Sequence, residues 1–145
     1  MDQPNKNALP NNPTSIFVVE GAPEIRKRLV AMVRRVAGID LNGEGSSVDE
    51  ALPAIQSGAV GILLLGLAPK GGRDLEALAR MKRMRPQLRA IVLADSSSQQ
   101  YTDASLAAGA EYCLDKSREF GLVPNILRNW VGATSGRPAN ERHTN

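Results

Sequence analysis

The chain has 145 residues, 42% hydrophobic, 23% charged and 3% aromatic, with a net charge of +3, one cysteine and one histidine. That length suits one domain, large enough for a real core and too short for two. Lone Cys113 excludes an internal disulfide, Cys113 with His143 cannot complete a zinc site, and Phe17, Tyr101, Tyr112, Phe120 and Trp130 are thin material for stacking single-stranded bases.

Residues 1–14 are rich in proline and asparagine, lack the apolar run of a secretory signal and read as a disordered lead-in. Ser15 to Val19 is a β-branched and aromatic run, expected as a buried strand. Gly21-Ala22-Pro23 then turns the chain into a helix, with Pro23 suited to its first turn. Ile25, Leu29, Met32, Val33 and Val36 share one sector of that helix, and Arg26, Lys27, Arg28, Arg34 and Arg35 lie outside it. Gly38 is its expected stop, and Ile39 to Glu44 a second, weaker strand.

Ser47 and Glu50 form a capping-box pattern ahead of a helix that buries Val48, Leu52 and Ile55 and stops at Gly58. Val60 to Leu65 is continuously apolar, as a strand covered on both faces should be. A glycine-rich loop, Gly66 to Arg73, leads to Asp74 as cap of a third helix carrying Leu75, Leu78 and Met81 and ending at Pro86. Ala90 to Leu93 is the fourth strand, Ser96 to Ser98 a loop, and Gln99 to Ala108 the fourth helix, stopped by Gly109. Tyr112 to Leu114 is the fifth strand. Ser117 is the expected cap of a last helix striped with Phe120, Val123, Ile126, Leu127 and Trp130. Residues 133–145 are a second polar tail, where His143 is a poor candidate for acid–base work. The folded unit is thus 15–132. No segment approaches the roughly 20 apolar residues of a membrane span, so cytoplasmic residence is expected.

Strand and helix alternate five times, which argues for a parallel α/β sheet with helices on both faces. Function in such folds gathers at the carboxyl ends of the strands. The residues there are Glu20 and Gly21, Gly66, Ala94 and Asp95, and Lys116. Lys70 before Gly71-Gly72 lacks the order of a phosphate-binding loop and is read as an ordinary strand–helix connection.

Several of these segments resemble the receiver domain of bacterial two-component response regulators. The carriers are Ile16-Phe17-Val18-Val19-Glu20 before Pro23 and Arg26, Leu63-Leu64-Leu65 before Gly71-Gly72, and the block Ala107 to Ser117 with its Gly109-Ala110 turn and Lys116. The resemblance spans about residues 15–131. It implies a doubly wound five-stranded parallel sheet, flavodoxin-like (CheY-like), in the order 2-1-3-4-5. It also implies a stand-alone receiver, with no output domain.

In that family an acid pair and a phosphoacceptor aspartate bind magnesium, and the aspartate takes a phosphoryl group from a histidine kinase. A Thr or Ser, an aromatic and a lysine respond. By position, the acid pair becomes Glu20 and Gly21, the acceptor Gly66, the Thr/Ser Ala94 and the aromatic Cys113; only Glu20 and Lys116 keep usable chemistry. Gly66 offers no nucleophile, so no acyl phosphate can form there. Magnesium binding should be lost or very weak with a single carboxylate. A Glu20–Lys116 ion pair, direct or bridged by water, is expected instead, worth about 0–1 kcal/mol if solvated. Asp95 is the one acid nearby that could substitute, its plainer reading being an exposed loop acid or cap.

The resemblance therefore implies a non-enzymatic pseudo-receiver that binds signalling proteins (a histidine kinase, a phosphotransfer protein or another regulator) without phosphorylation. Tyr101 and Tyr112 are the candidate interaction surface, with homodimerisation as one use of it. The alternatives are a regulator controlled at a non-standard residue and a small-molecule sensor using the vacated site. Two basic groups, one near helix one and one at Arg80, Lys82, Arg83, Arg85 and Arg89, lie on neighbouring or opposite faces depending on strand order, and the order the resemblance implies would keep them from forming one continuous stripe. They read mainly as solvated surface, with an acidic partner or weak non-specific DNA attraction as the functional reading. No specific nucleic acid is expected.

Overall fold

The computed structural model describes residues 13–68, 72–95 and 99–134. Both polar tails apart from residues 13, 14, 133 and 134, the Lys70-Gly71 segment and Ser96 to Ser98 lie outside them, as does His143.

Five strands form one parallel sheet: β1 (Ser15–Val19), β2 (Asp40–Gly45), β3 (Ile62–Gly66), β4 (Arg89–Ala94) and β5 (Tyr112–Asp115). Its spatial order is β2-β1-β3-β4-β5, the expected 2-1-3-4-5. The helices are α1 (Pro23–Arg34), α2 (Leu52–Gln56), α3 (Gly72–Met84), α4 (Gln99–Ala107) and α5 (Val123–Thr134). Among the described residues no helix is long and apolar enough to cross a membrane.

The central strands read as apolar runs because both of their faces are covered. On one face Ile16, Val18, Ile62, Leu64, Ile91 and Leu93 pack with Leu29 and Val33 of α1 and Val123 and Leu127 of α5. On the other, Phe17, Leu63, Leu65 and Val92 pack with Ile55 of α2 and Leu78 and Met81 of α3. Helices α1 and α3, and the basic residues they carry, accordingly sit on opposite sides of the sheet, while Arg89 lies over Trp130 of α5 on the α1 side. Edge strand β2 is polar and bulged, Asn42 being the extra residue between the pairs Ile16–Leu41 and Phe17–Gly43.

Several boundaries differ from expectation, each for a local reason. Helix α1 ends at Arg34, not at Gly38. A tighter backbone bond from Arg35 N–H to the Met32 carbonyl closes it, and two further turns lead to Gly38. Gly38, Gly58 and Gly109 all take positive φ, as helix-stop glycines do. The second helix splits into a 3₁₀ turn at Val48–Glu50 and the short α2, with Pro53 near the junction. Helix α3 starts at Gly72, so Asp74 lies inside its first turn. From there its carboxylate accepts the Ala68 N–H at 3.4 Å. Ser117 does not cap the last helix: the Asp115 carboxylate accepts the N–H groups of Ser117 and Arg118, and a 3₁₀ turn at Phe120–Leu122 precedes α5. Helix α5 also runs on to Thr134, past the expected end of the folded unit at 132.

Candidate functional site: the carboxyl rim of the sheet

Parallel strands end together, so the residues that leave β1, β3, β4 and β5 meet on one rim. Glu20 follows β1, Gly66 closes β3, Ala94 closes β4, and Asp115 with Lys116 ends β5. Glu20, Gly66, Ala94 and Lys116 are the residues the sequence reading singles out here, Asp115 is not, and the structure adds their geometry.

Glu20 is 3% exposed. Its Oε2 accepts the Ala22 N–H at 2.9 Å, one of the free donors at the start of α1. Its Oε1 lies 2.9 Å from Lys116 Nζ, at an angle too bent for a hydrogen bond, so the attraction there is ionic. Lys116 Nζ also donates to the Leu67 carbonyl at 3.1 Å, and its side chain is only 9% exposed. The expected pair is therefore present, but the condition attached to its small worth is not met, because both partners are buried. A buried pair gains little net stability when intact, and breaking it from one side costs about 3–5 kcal/mol.

Gly66 explains how Glu20 reaches that far. A Cβ on Gly66 would overlap Glu20 Oε1, approach its Cδ to 3.0 Å and the Val19 carbonyl oxygen to 3.4 Å. The carboxylate of Glu20 thus occupies the space that any side chain at position 66 would need. Truncation at this position opens no chamber at the Gly66 edge of the rim, because its neighbour fills it. Gly21 is different: it is exposed, and a Cβ there would meet only the Ser46 carbonyl oxygen, at 3.7 Å.

Two residues passed over in the sequence hold the rim in place. Arg26 donates to the Glu20 carbonyl at 2.7 Å and reaches Glu44 Oε1 at 3.4 Å, tying β1 to the edge strand. Asp115, buried by its turn, accepts the two N–H bonds that turn the chain out of β5, while its own N–H donates to Glu119 at 2.9 Å. An aspartate two residues before a serine is a turn signal that could have been read. Beside the rim, N–H bonds from Ser46 and Ser47 hold the exposed Glu50 carboxyl below its ordinary 4.5. That is the acid half of the expected capping box.

Ala94 is buried at the end of β4 and brings no polar side-chain group to the rim. Asp95 is exposed just beyond it. Cys113 is half-buried and turns toward α4, its sulfur 3.9 Å from the Tyr101 carbonyl oxygen. Tyr101 packs against the core on that same α2–α4 side. Tyr112 faces the other way, 40% exposed, its ring 6.0 Å from that of Trp130, over which the Arg89 guanidinium lies at 4.7 Å. The two tyrosines thus flank opposite faces of β5 instead of forming one patch.

The donor set at the rim does not suit magnesium. That ion takes near-octahedral oxygen ligands, commonly one or two carboxylates kept free for it. Here the Glu20 oxygens face an ammonium and a backbone N–H, Asp115 Oδ1 carries two N–H bonds, and Gly21 and Gly66 supply nothing. Among the described residues no group of three or more His, Cys, Asp or Glu could hold a metal ion.

No family model and no curated protein matches the sequence. Solved structures do match in fold. A DNA-binding response regulator of the LuxR family from Staphylococcus aureus superposes with a TM-score of 0.70 at 14% identity, over 81% of this chain and 98% of that one. A CheY-like response regulator receiver domain from Methanospirillum hungatei gives 0.63 at 17% identity, covering 81% and 95%. A CheX–CheY complex with beryllium fluoride and magnesium from Borrelia burgdorferi gives 0.62 at 17%, covering 79% and 89%. The chain has the fold of the response-regulator receiver domains.

Proposed function

We propose that this chain is a receiver-type signalling domain that does not run the phospho-aspartate cycle and works by binding other signalling proteins independently of phosphorylation. One observation carries the reading: the Glu20 carboxylate, paired with Lys116, occupies the space beside Gly66 where a phosphoacceptor side chain would stand. A nucleophile is absent at that position, and the lysine that would meet a phosphoryl group is already neutralised.

In this reading the domain is not an enzyme, carries no magnesium and acts in the bacterial cytoplasm. Its partners are a histidine kinase, a phosphotransfer protein or another regulator. The neighbouring CheX–CheY complex supports protein docking as a use of the fold.

The test is incubation with a small acyl phosphate and magnesium, followed by intact mass. The expected spectrum is unmodified protein, with partner capture equal in the presence and absence of the donor. A covalent phosphoryl adduct, or capture that needs the donor, sinks the proposal.

A further inference from the structure

On the α2–α4 side a groove of about 430 Å³ runs between α2 and the second half of α3. Parallel strands place helix starts at the carboxyl rim, so the later turns of α3 lie toward the opposite end of the sheet from Glu20 and Lys116. Leu52, buried Met81 and 46%-exposed Met84 supply an apolar floor. Methionine side chains are flexible and polarizable, and suit a surface that adapts to an incoming side chain.

Arg80 and Arg83 stand exposed on the rim of this groove, and neither guanidinium has a partner among the described residues. Asp49 is the single acid in the lining. The next arginine, Arg85, is by contrast committed, donating to the Gln56 carbonyl at 2.7 Å and fixing α3 against α2. Two cations with no partner among the described residues, beside an apolar trough, complement one kind of ligand: a segment that offers carboxylates on its edges and aliphatic side chains on its face.

We infer that the groove between α2 and α3 docks an acidic amphipathic helix of a partner protein, with its apolar side chains on Met81 and Met84 and its carboxylates on Arg80 and Arg83. This names the partner chemistry of the protein-binding function proposed above and rests on that reading. A second copy of the chain fits poorly, because a two-fold contact through this groove would bring Arg80 and Arg83 of both copies together. Nucleic acid fits poorly as well, since phosphates gain nothing from the apolar floor.

Fluorescence anisotropy with two designed helical peptides of about four turns tests this. Both carry leucine at i, i+4 and i+7; one has glutamate and the other lysine at the remaining positions. The glutamate peptide should bind saturably. The double variant R80E/R83E should weaken it by about tenfold or more and favour the lysine peptide instead. Both arginines are exposed, so the variant should melt as the unaltered protein does. Absence of glutamate-peptide binding, or binding that R80E/R83E leaves unchanged, overturns the inference. A dimer in sedimentation that R80E/R83E dissolves overturns it too, assigning the groove to a second copy. Acyl phosphate labelling of the same sample separates the two claims: a phosphoryl adduct refutes phosphorylation independence while leaving groove binding to stand or fall alone.

Discussion

Gly66 and Glu20 are best understood as one unit. The missing Cβ at position 66 is what lets a buried carboxylate lie against Lys116, so neither residue is independent of the other. Gly66→Ala should therefore destabilise by about 1–3 kcal/mol through overpacking, measured by urea unfolding. In a Glu20→Ala background the same substitution should add almost nothing, because the colliding oxygen is gone. Lys116 gives a second check. Lys116→Met leaves the Glu20 carboxylate buried without its counter-charge and should cost about 3–5 kcal/mol, whereas the pair Glu20→Met with Lys116→Met should recover most of that loss. Recovery would identify the pair as a device of specificity more than of stability. If Lys116→Met proves neutral, the ammonium is not what balances the carboxylate.

At the scale of elements, the loops set the geometry more than the helices do. Gly38 has φ +88 and its Cα sits so close to α5 that a Cβ would lie 2.6 Å from Val131 Cγ1. Gly38→Ala thus meets both backbone strain and a side-chain collision where the turn after α1 touches the last helix. A loss of more than about 1 kcal/mol is expected from thermal melts. Gly132, within α5, is the opposite case. A Cβ there meets nothing within 4 Å, so Gly132→Ala should stabilise by about 0.5–1 kcal/mol from helix propensity alone. Two glycines near the same helix should move stability in opposite directions. A Gly38→Ala variant as stable as the parent would show that neither the positive φ nor the contact with Val131 constrains that turn.

For the whole molecule the sheet order brings Glu20, Gly21, Gly66 and Lys116, the positions to which the resemblance assigns the acid pair, the acceptor and the lysine, to one rim, while the side chains there do not match that pattern. A Cβ fits at Gly21 in ordinary contact and does not fit at Gly66, as long as Glu20 keeps its length. Restoring acids with G21D/G66D should therefore give little magnesium-dependent phosphorylation by a small donor. The triple variant E20D/G21D/G66D, which draws the first carboxylate back by one methylene, should give clearly more in intact mass. Equal labelling of the two would mean that Glu20 moves aside freely and does not block the acceptor position.

Much of this was legible in the chain itself, because hydrophobic periodicity is a local record of burial. Continuous apolar runs at 15–19 and 60–65, the helical stripe at Ile25 to Val36 and the glycine stops marked the elements to within a few residues. The alternation then implied parallel strands, and from these the rim residues Glu20, Gly66, Ala94 and Lys116. Start and stop positions were less legible where a cap comes from outside the expected motif, as with Asp115 in place of Ser117.

What sequence could not supply was distance across the fold. Residues 20, 66 and 116 are far apart along the chain, and no local pattern says that the first fills the space beside the second or that the pair with the third is dry. Nor could it say that Tyr101 and Tyr112 face apart, or that Arg80 and Arg83 stand beside an apolar groove while Arg85 is tied down. Periodicity fixes which residues turn inward; only the packed sheet fixes what each one meets there, because burial is a property of a residue and contact a property of a pair.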